Sequence, residues 1–527
     1  MKKVLISDSV DSECISILES NSFKVDYLIN LSKQELIDRI SDYNVLIVRS
    51  ATNVTSSLID KMNSMEVIGR AGTGVDNIDI KAASRKGILV MNTPGGNTLS
   101  AAEHTMAMML SVCRHIPQAN SSLKSGKWER KNFQGTELSG KTLGLIGLGK
   151  IGKEVALRSK VFGMKIITYD PLLSKESANE TGVELVTLDS VFSDSDIISV
   201  HTPLNDKTKH LIGKETLIKC KKGVKIINCA RGGIIDEEEL VKAINEGKVS
   251  AAGIDVFENE PPDFNSELLN HPAVVCTPHL GASTEEAQKK VAIQIAEQII
   301  NYYKSNSLTG AINAYGLKEG TNTEIEPYIS LAEIIGKING QLLKNQLKKI
   351  NIICIGELLH KYADVLTNSL LKGLLSEKLD QSVNLINAPL LAEEMGIIHS
   401  ITKSKEHSDF NNLLKIEVEA TGEKRKIAGT VFGSNEIRIV NIDDYLVEVN
   451  PLGNHLIYKN PDVPGMLASV SKVLAANNIN IAGLSLGRFK QGEEALTVIS
   501  IDDKINSKVF SNISSIEGIK DIYTVSI

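Results

Sequence analysis

Short apolar runs alternate with longer stretches of helical periodicity from the first residues onward. Val4 to Ser7, Val45 to Val48, Val67 to Gly69 and Ile88 to Met91 are apolar runs of strand length, and they read as buried strands. Between them Ser9 to Ser20, Lys33 to Ile40, Ser56 to Met62 and Ile78 to Lys86 read as helices. Alternation of this kind predicts a parallel sheet with helices on both faces, forming a small first domain over residues 1 to 95. Leu99 to Ile116, rich in Ala and Met, reads as one long buried helix, with Met106, Met108 and Met109 as core or subunit contact.

The alternation then resumes. Met164 to Tyr169, Ile197 to Val200, Val224 to Asn228, Ala251 to Asp255 and Ala273 to Thr277 predict a second parallel sheet within residues 96 to 279. Asp236 with Glu239, and Ser283 with Glu286, fit capping boxes at helix starts. A helix from Thr284 to about Lys304 follows the last strand. Its order and size send it back onto the first domain as residues 280 to 308, so that domain is discontinuous and a cleft lies at the hinge.

Ser305 to Gly320 loosens into Asn, Ser, Thr and Gly and reads as a linker. Residues 320 to 447 mix helical runs (Ile329 to Leu347, Val365 to Lys372, Leu390 to Met395) with strand-like ones (Ile350 to Ile355, Leu414 to Glu419, Lys424 to Phe432, Ile437 to Val440), an α+β unit without a catalytic constellation. Residues 455 to 527 read strand (His455 to Asn460), helix (Met466 to Asn477), strands (Ile479 to Gly487, Ala495 to Ile501), helix (Lys504 to Ile516) and strand (Ile519 to Ser526). That order is the ferredoxin-like split unit, and its open edge offers pairing with a second copy.

Composition narrows the field. At 527 residues the chain exceeds one core, and a net charge of −6 offers neither a basic face for nucleic acid nor a polybasic membrane anchor. The six cysteines form no CxxC pair, so no zinc site, no other metal site and no disulfide framework is expected. With no signal peptide or membrane span read from the sequence, a cytoplasmic enzyme is the expectation.

Candidate chemistry begins at Thr142 to Gly152, where an apolar strand meets Gly147, Gly149 and Gly152 ahead of a helix. Gly147 permits a tight turn, Gly149 lets backbone approach a pyrophosphate, and Gly152 allows close helix-to-strand packing. A chance Gly-rich turn is the bland alternative. Against it, Asp170 ends the next apolar run near the spacing of a ribose-binding acid, and a carboxylate there favours NAD over NADP.

The strand ends carry Gly147, Asp170, His201-Thr202-Pro203, Cys229 to Gly233, Asp255 and Pro278-His279, which look like one cleft. His279 is a candidate general acid/base. Glu260, on a proline-stiffened loop, could orient its imidazole, and Arg231 could hold a carboxylate bidentately. Alone, each has a plain reading as turn residue, loop charge or structural ion-pair partner. Arg49 and Arg70, at strand ends of the first domain, point to an anionic substrate with more than one acidic group. Trp128-Glu129-Arg130-Lys131 reads as a solvated face.

Several of these stretches together carry a family resemblance. Val48-Arg49-Ser50-Ala51-Thr52, Gly69 to Asn77, Asn92-Thr93-Pro94, Gly126 to Arg130, Gly147 to Gly152, Asn228 to Gly233, Asp255-Val256-Phe257 and Pro278 to Thr284 make residues 1 to about 305 resemble the D-isomer-specific 2-hydroxyacid dehydrogenases. Residues 455 to 527 resemble an ACT regulatory domain, and 320 to 447 the intervening domain of the long form of these enzymes. The implied fold is a Rossmann-type NAD-binding domain inserted in a flavodoxin-like substrate domain, followed by an α+β intervening domain and a ferredoxin-like ACT domain.

The resemblance implies Arg231, Glu260 and His279 as the catalytic set. Cofactor contacts are implied at Thr73, Gly147, Gly149, Lys150, Ile151, Gly152, Asp170, Thr202, Cys229, Ala230, Arg231, Asp255, His279, Gly281 and Ala282. Arg49, Arg70 and Gly72 would meet the substrate, with Arg130 or Lys131 reaching a neighbouring subunit's site. The implied reaction is NAD-dependent oxidation of 3-phospho-D-glycerate to 3-phosphohydroxypyruvate, which opens L-serine biosynthesis, in a homo-oligomer (dimer or tetramer). Serine as effector would bind near Asn460, Asp462 and Asn480, although some relatives have a histidine at the place of Asn460. Two alternatives stay open, a hydroxypyruvate or glyoxylate reductase and an NAD-sensing binding protein like the corepressors built on this fold.

Overall fold

The computed structural model describes residues 1–305, 307–314, 323–406 and 409–527. Its first sheet contains β1 (Lys3–Ile6), β2 (Lys24–Tyr27), β3 (Val45–Val48), β4 (Val67–Arg70) and β5 (Leu89–Asn92), all parallel, in the order β2-β1-β3-β4-β5. That is the flavodoxin-like order. β2 has no counterpart in the sequence reading, because Lys24-Val-Asp-Tyr alternates in polarity and sits half-exposed at the sheet edge. β3 inside the sheet and β5 at its other end are both buried throughout, as continuous apolar runs demand.

The expected helix over Leu99 to Ile116 forms as Thr98–Arg114, and a second helix that was not expected follows it. Thr98–Arg114 stops at His115, which adopts a left-handed φ of 53°, and Ile116–Lys124 continues with Pro117 in its first turn and no buried residue. The second sheet follows with β6 (Thr142–Ile146), β7 (Lys165–Tyr169), β8 (Glu184–Leu185), β9 (Ile197–Val200), β10 (Val224–Asn228), β11 (Val249–Ile254) and β12 (Val274–Cys276). Their order, β12-β11-β10-β9-β6-β7-β8, is doubly wound, with one apolar core on each face.

Both expected capping boxes need correction. Asp236 accepts the Glu239 N–H, but the Glu239 side chain pairs with Lys242 rather than returning to the cap. Ahead of Glu285–Ser305 it is Thr284, not Ser283, whose hydroxyl accepts a helix N–H, that of Ala287.

Helix Glu285–Ser305 returns to the first domain. Its Val291, Ile295 and Ile299 share a core with Val4, Ile6, Val45 and Val67. Gly69 of β4 makes the close approach feasible, since a Cβ there would lie 2.9 Å from Ile295. Of the expected linker, 306 and 315 to 320 fall outside the described residues. The rest is not loose: Ile312 N–H donates to the Val90 carbonyl, and buried Asn313 bonds both Val90 N–H and the Ile88 carbonyl, so this segment lines β5.

The next sheet holds β13 (Leu347–Ile355), β14 (Ile398–Ser404), β15 (Leu413–Ala420), β16 (Glu423–Phe432), β17 (Glu436–Ile442) and β18 (Tyr445–Val449), in the order β14-β13-β15-β16-β17-β18. Only β13 with β14 is parallel. β14 and β18 have no counterpart in the sequence reading. β14 is a polar edge strand without a buried residue, and β18 crosses the boundary expected near 447.

The last sheet, β19 (Asn454–Pro461), β20 (Ile481–Arg488), β21 (Glu494–Ile501) and β22 (Lys520–Ser526), is antiparallel in the order β20-β21-β19-β22. Helices Met466–Ala476 and Ser507–Ser514 cover one face. The other face, with Ile457, Leu496 and Val498, packs into the core shared with helix Glu326–Leu342. The edges are less open than expected: Gln341 exchanges two hydrogen bonds with Ser526 of β22, and Ser485 of β20 accepts the Glu448 N–H of β18.

Because Ile295 is fully buried between the return helix and the first sheet, Ile295→Ala is expected to cost about 2–5 kcal/mol. The expected readout is a lower urea midpoint for the first domain, followed by hydrogen exchange of β1, β3 and β4.

Candidate functional site

The carboxyl ends of β4, β10 and β11 open onto a cleft between the first two domains, with a cavity of about 690 Å³. Of the expected site residues, Arg49, Arg70, Gly72, Thr73, Ile151, Thr202, Cys229, Ala230, Arg231, Glu260, His279, Gly281 and Ala282 line it. Arg130 and Lys131 do not reach this cleft; they lie on an exposed turn beside Trp128.

The imidazole and carboxylate pair is formed. His279 Nδ1 lies 2.7 Å from Glu260 Oε2, and the other Glu260 oxygen accepts the Phe257 N–H at 3.2 Å. Partial burial pushes the Glu260 carboxyl up, but the hydrogen bond and charge of His279 outweigh it and hold the group below the usual glutamate range. A second cleft histidine, His201, is pushed down to about 4 by burial, so it is neutral at pH 7 and a weak base. The pairing therefore singles out His279 for proton transfer.

Arg231 follows β10 on a backbone fixed by Asn228, whose amide donates to the Arg231 carbonyl and accepts from Ala230 N–H. Gly232 is required beneath it, because a Cβ there would lie 1.7 Å from the Phe257 carbonyl oxygen. The guanidinium spans the cleft to Asp76 of the first domain at 2.8 Å. Arg70 donates through Nε to Asn77, and Arg49 through Nη1 to the Ser9 carbonyl. Burial, then the charge of Arg231, pushes Arg70 down to about 10. Three guanidinium groups around one cavity make an anion site.

Asp255 lies beneath the cleft wall with no exposed surface. Its carboxylate accepts from Thr277 Oγ1 (2.6 Å), Leu280 N–H (2.7 Å) and Gly281 N–H (2.9 Å), and His104 Nε2 lies 3.1 Å away. Burial raises its pKa, but these bonds, led by His104, hold it below the usual range. The same bonds fix the backbone on either side of His279, which itself sits at a φ of 55°. His104, Cys229 and Asp255 offer atoms within 4.8 Å of one another. Asp255 is already saturated, however, and burial pushes the Cys229 thiol up to about 12, so it stays protonated and inert.

The residues fit a dinucleotide. Gly147 has a φ of 99°, and a Cβ there would lie 2.6 Å from the His201 carbonyl oxygen. At Gly152 a Cβ would meet the Gly147 carbonyl at 2.4 Å, which explains the need for close packing. Gly149, by contrast, has nothing within 4 Å, and it caps helix Lys150–Val161 with no side chain over the N–H groups. Lys150 reaches back to the Pro94 carbonyl across the hinge. Asp170 accepts Leu148 N–H and Leu172 N–H, each at 2.9 Å, and so fixes the glycine turn from the end of β7.

The proposed effector residues do not converge within one chain. Asn460 is buried, accepting from Thr497 and donating to the Pro461 carbonyl. Asp462 pairs with Arg488 at one end of the β20 and β21 hairpin, and Asn480 bonds Asp502 at the other. The sequence reading assigned no role to Asp76 and Asn97 in the cleft, to Asn77 beside Arg70, or to His104 beneath the cleft wall. Asp76 and Asn77 stood within the glycine-rich run after β4, and a histidine inside an apolar helix was the available signal for His104.

Comparison with known proteins agrees with this geometry. Residues 106–281 match the NAD-binding domain of D-isomer specific 2-hydroxyacid dehydrogenases, 324–443 the D-3-phosphoglycerate dehydrogenase intervening domain, and 455–518 the ACT domain. D-3-phosphoglycerate dehydrogenase of Archaeoglobus fulgidus is 43% identical over 98% of this chain and 99% of its own. The same enzyme of Methanocaldococcus jannaschii is 42% identical over the whole of both chains. Among solved structures, Aquifex aeolicus D-lactate dehydrogenase, complexed with NAD and lactic acid, superposes with a TM-score of 0.53 at 28% identity, covering 57% of this chain and 96% of that one. A glyoxylate reductase from Paecilomyes thermophila gives 0.55 at 30% identity, over 59% and 98%. This chain belongs to the D-3-phosphoglycerate dehydrogenase family, the NAD-dependent D-isomer-specific 2-hydroxyacid dehydrogenases that carry intervening and ACT domains.

Proposed function

We propose that the chain oxidises 3-phospho-D-glycerate to 3-phosphohydroxypyruvate, the opening step of L-serine biosynthesis, with serine as feedback effector. The observation that carries this reading is the convergence of the His279 and Glu260 pair with Arg231, Arg49 and Arg70 in one cavity. An unphosphorylated 2-hydroxy acid has one carboxylate for Arg231 and leaves two further guanidinium groups without an anion. A phosphate supplies it.

In this reading Arg231 holds the carboxylate, while Arg49 and Arg70 hold the phosphate from the first domain. His279 removes the C2 hydroxyl proton, and Glu260 stabilises the imidazolium that forms. The C2 hydrogen leaves with its electron pair, for which bound NAD is the acceptor, so the alcohol becomes a ketone and one proton stays on His279. Thr73, Ile151, Thr202, Cys229, Ala230, Gly281 and Ala282 would hold the cofactor along the cleft wall, and Asp170 its ribose.

The exposed helix Ile116–Lys124 and the turn at Trp128 to Phe133 support a homo-oligomer in which Arg130 or Lys131 reaches the neighbouring site. Serine would bind between two copies of the C-terminal unit, near Asn460, Asp462 and Asn480. The six free thiols fit a cytoplasmic location. Among the described residues no helix is long and apolar enough to cross a membrane.

The test is NAD reduction with 3-phosphoglycerate beside glycerate and lactate, with and without L-serine. Strong preference for the phosphorylated acid is expected. Arg49→Ala or Arg70→Ala should lower kcat/KM on it about 10- to 100-fold, the worth of one charge-assisted hydrogen bond, and lower it less on glycerate. Equal turnover of glycerate would overturn the substrate; NAD binding without any turnover would favour a binding protein.

A second expectation concerns pH. The lowered Glu260 pKa means that the stability contributed by its ionised carboxylate is fully present above the ordinary glutamate range and is lost as pH falls through the lowered value. In His279→Ala burial and the Asp255 charge, which raise it, are opposed only by the Phe257 bond, so Glu260 should titrate at higher pH than in the parent chain. Isotope-edited infrared titration of the carboxylate band would read the difference.

A further inference from the structure

Arg231 has a fixed backbone and a long side chain, so something must choose its rotamer before a substrate arrives. Its Nη1 turns back to the Ala230 carbonyl at 2.6 Å, which ties one donor to its own loop. Its Nε donates to Asp76 Oδ2 at 2.8 Å, a contact from the opposite domain. Of the five N–H donors of a guanidinium, three remain, on the Nη1 and Nη2 end. That end is the fork a carboxylate needs.

Asp76 sits in the glycine-rich run after β4, and Gly74 stands between the two partners. A Cβ on Gly74 would lie 1.9 Å from Arg231 Nη2 and 2.9 Å from Asp76 Oδ2, so the loop has room for the pair only because this residue has no side chain. Asp76 is itself 64% exposed. An exposed carboxylate contributes little to stability through one ion pair, which leaves its contribution to Arg231 as the use the geometry shows.

We infer that Asp76 is a positioning residue for the hydroxyacid site: by accepting from Arg231 Nε it turns the Nη fork into the cleft, ready for the substrate carboxylate. The inference rests on the proposed reading that Arg231 binds that carboxylate. Asp76 takes the Nε side rather than the fork, so it orients the arginine without occupying the place of the substrate. Arg70 and Arg49 are the other charges facing this loop, and Asp76 acts on Arg70 through space as well. The test must therefore separate an effect through Arg231 from one through Arg70.

Asp76→Ala, Asp76→Asn, Arg231→Ala and the Asp76→Ala/Arg231→Ala double variant would be compared in the full chain. The measurements are NAD reduction with 3-phosphoglycerate, NAD affinity by fluorescence, and 3-phosphohydroxypyruvate affinity by calorimetry. Misplacing a binding group costs up to about 100-fold, so Asp76→Ala is expected to lower kcat/KM about 30-fold with unchanged NAD affinity and melting temperature. Asp76→Asn, which keeps an acceptor for Nε, should return to within about threefold of the parent. In the Arg231→Ala background, Asp76→Ala should change 3-phosphohydroxypyruvate affinity no further.

Three results would each overturn the inference: an Asp76→Ala variant as active as the parent, a lowered KM that marks Asp76 as a competitor, or a further loss in the double variant. If the parent chain is inert on 3-phosphoglycerate but active on another 2-hydroxy acid, the substrate reading fails. The same comparison is then read on that acid, because the inference needs only its carboxylate.

Discussion

A carboxylate without exposed surface organises the catalytic half of this chain. An uncompensated buried charge costs several kcal/mol, and Asp255 avoids that cost with bonds from Thr277, Leu280 and Gly281 and the contact from His104. Each donor belongs to a segment that must be placed for the chemistry: the end of β12, the turn after His279, and the long helix that leads into the nucleotide domain. Ser100 of that helix adds a bond to the Gly281 carbonyl. The left-handed backbone of His279 is thus over-determined from both sides, and the imidazole can meet Glu260 without being held by its own conformational preference.

The cleft above it carries the opposite sign. Arg49, Arg70 and Arg231 share a cavity with Glu260 and Asp76, and burial beside a like charge already lowers Arg70. Mutual repulsion of this kind raises the energy of the empty site and is relieved by a dianion more than by a monoanion. Selectivity for a doubly acidic substrate then follows from the field as well as from contacts. Asp8 shows how far the fold commits to this arrangement: buried itself, it accepts the Arg49 N–H, the Thr52 N–H and the Thr52 hydroxyl, and so holds the loop that presents Arg49.

The parts of this site legible in the sequence were those that leave a local mark. Apolar runs ending in Gly147, Asp170, Arg231 and His279 marked strand ends, and parallel strands bring their ends together whatever the detail of the loops. β2, β14 and β18 left no such mark, because half-exposed edge strands are set by neighbours rather than by a continuous apolar run. Helix Ile116–Lys124 went unread because it buries no residue and so carries no apolar face. Partnerships across the cleft were the least legible: Arg231 with Asp76 and His104 with Asp255 are each separated by about 150 residues, and no spacing rule reaches that far.

The contact between the C-terminal half and the first domain illustrates how magnitude, not charge, decides what holds. Arg85 at the end of helix Ile80–Arg85 meets Glu394 in an ion pair, but both groups are substantially exposed, and such pairs are worth about 0–1 kcal/mol. Beside it, Asn384 donates to the Gly87 carbonyl at 2.8 Å, and buried Asn387 orders the Asn384 turn through bonds to its backbone. Gly87 has a φ of 73°, and a Cβ there would lie 2.3 Å from the Asn384 amide, so the approach depends on that glycine. The amide grip is therefore the specific part of the contact and is little affected by salt, whereas the ion pair is screened. Since helix Ile80–Arg85 is capped by Asp79, directly after Asn77 and Ile78, this grip fixes the far end of the element that carries the cleft loop. The position of the intervening domain and the position of Asp76 are two ends of one short, stiff piece of chain.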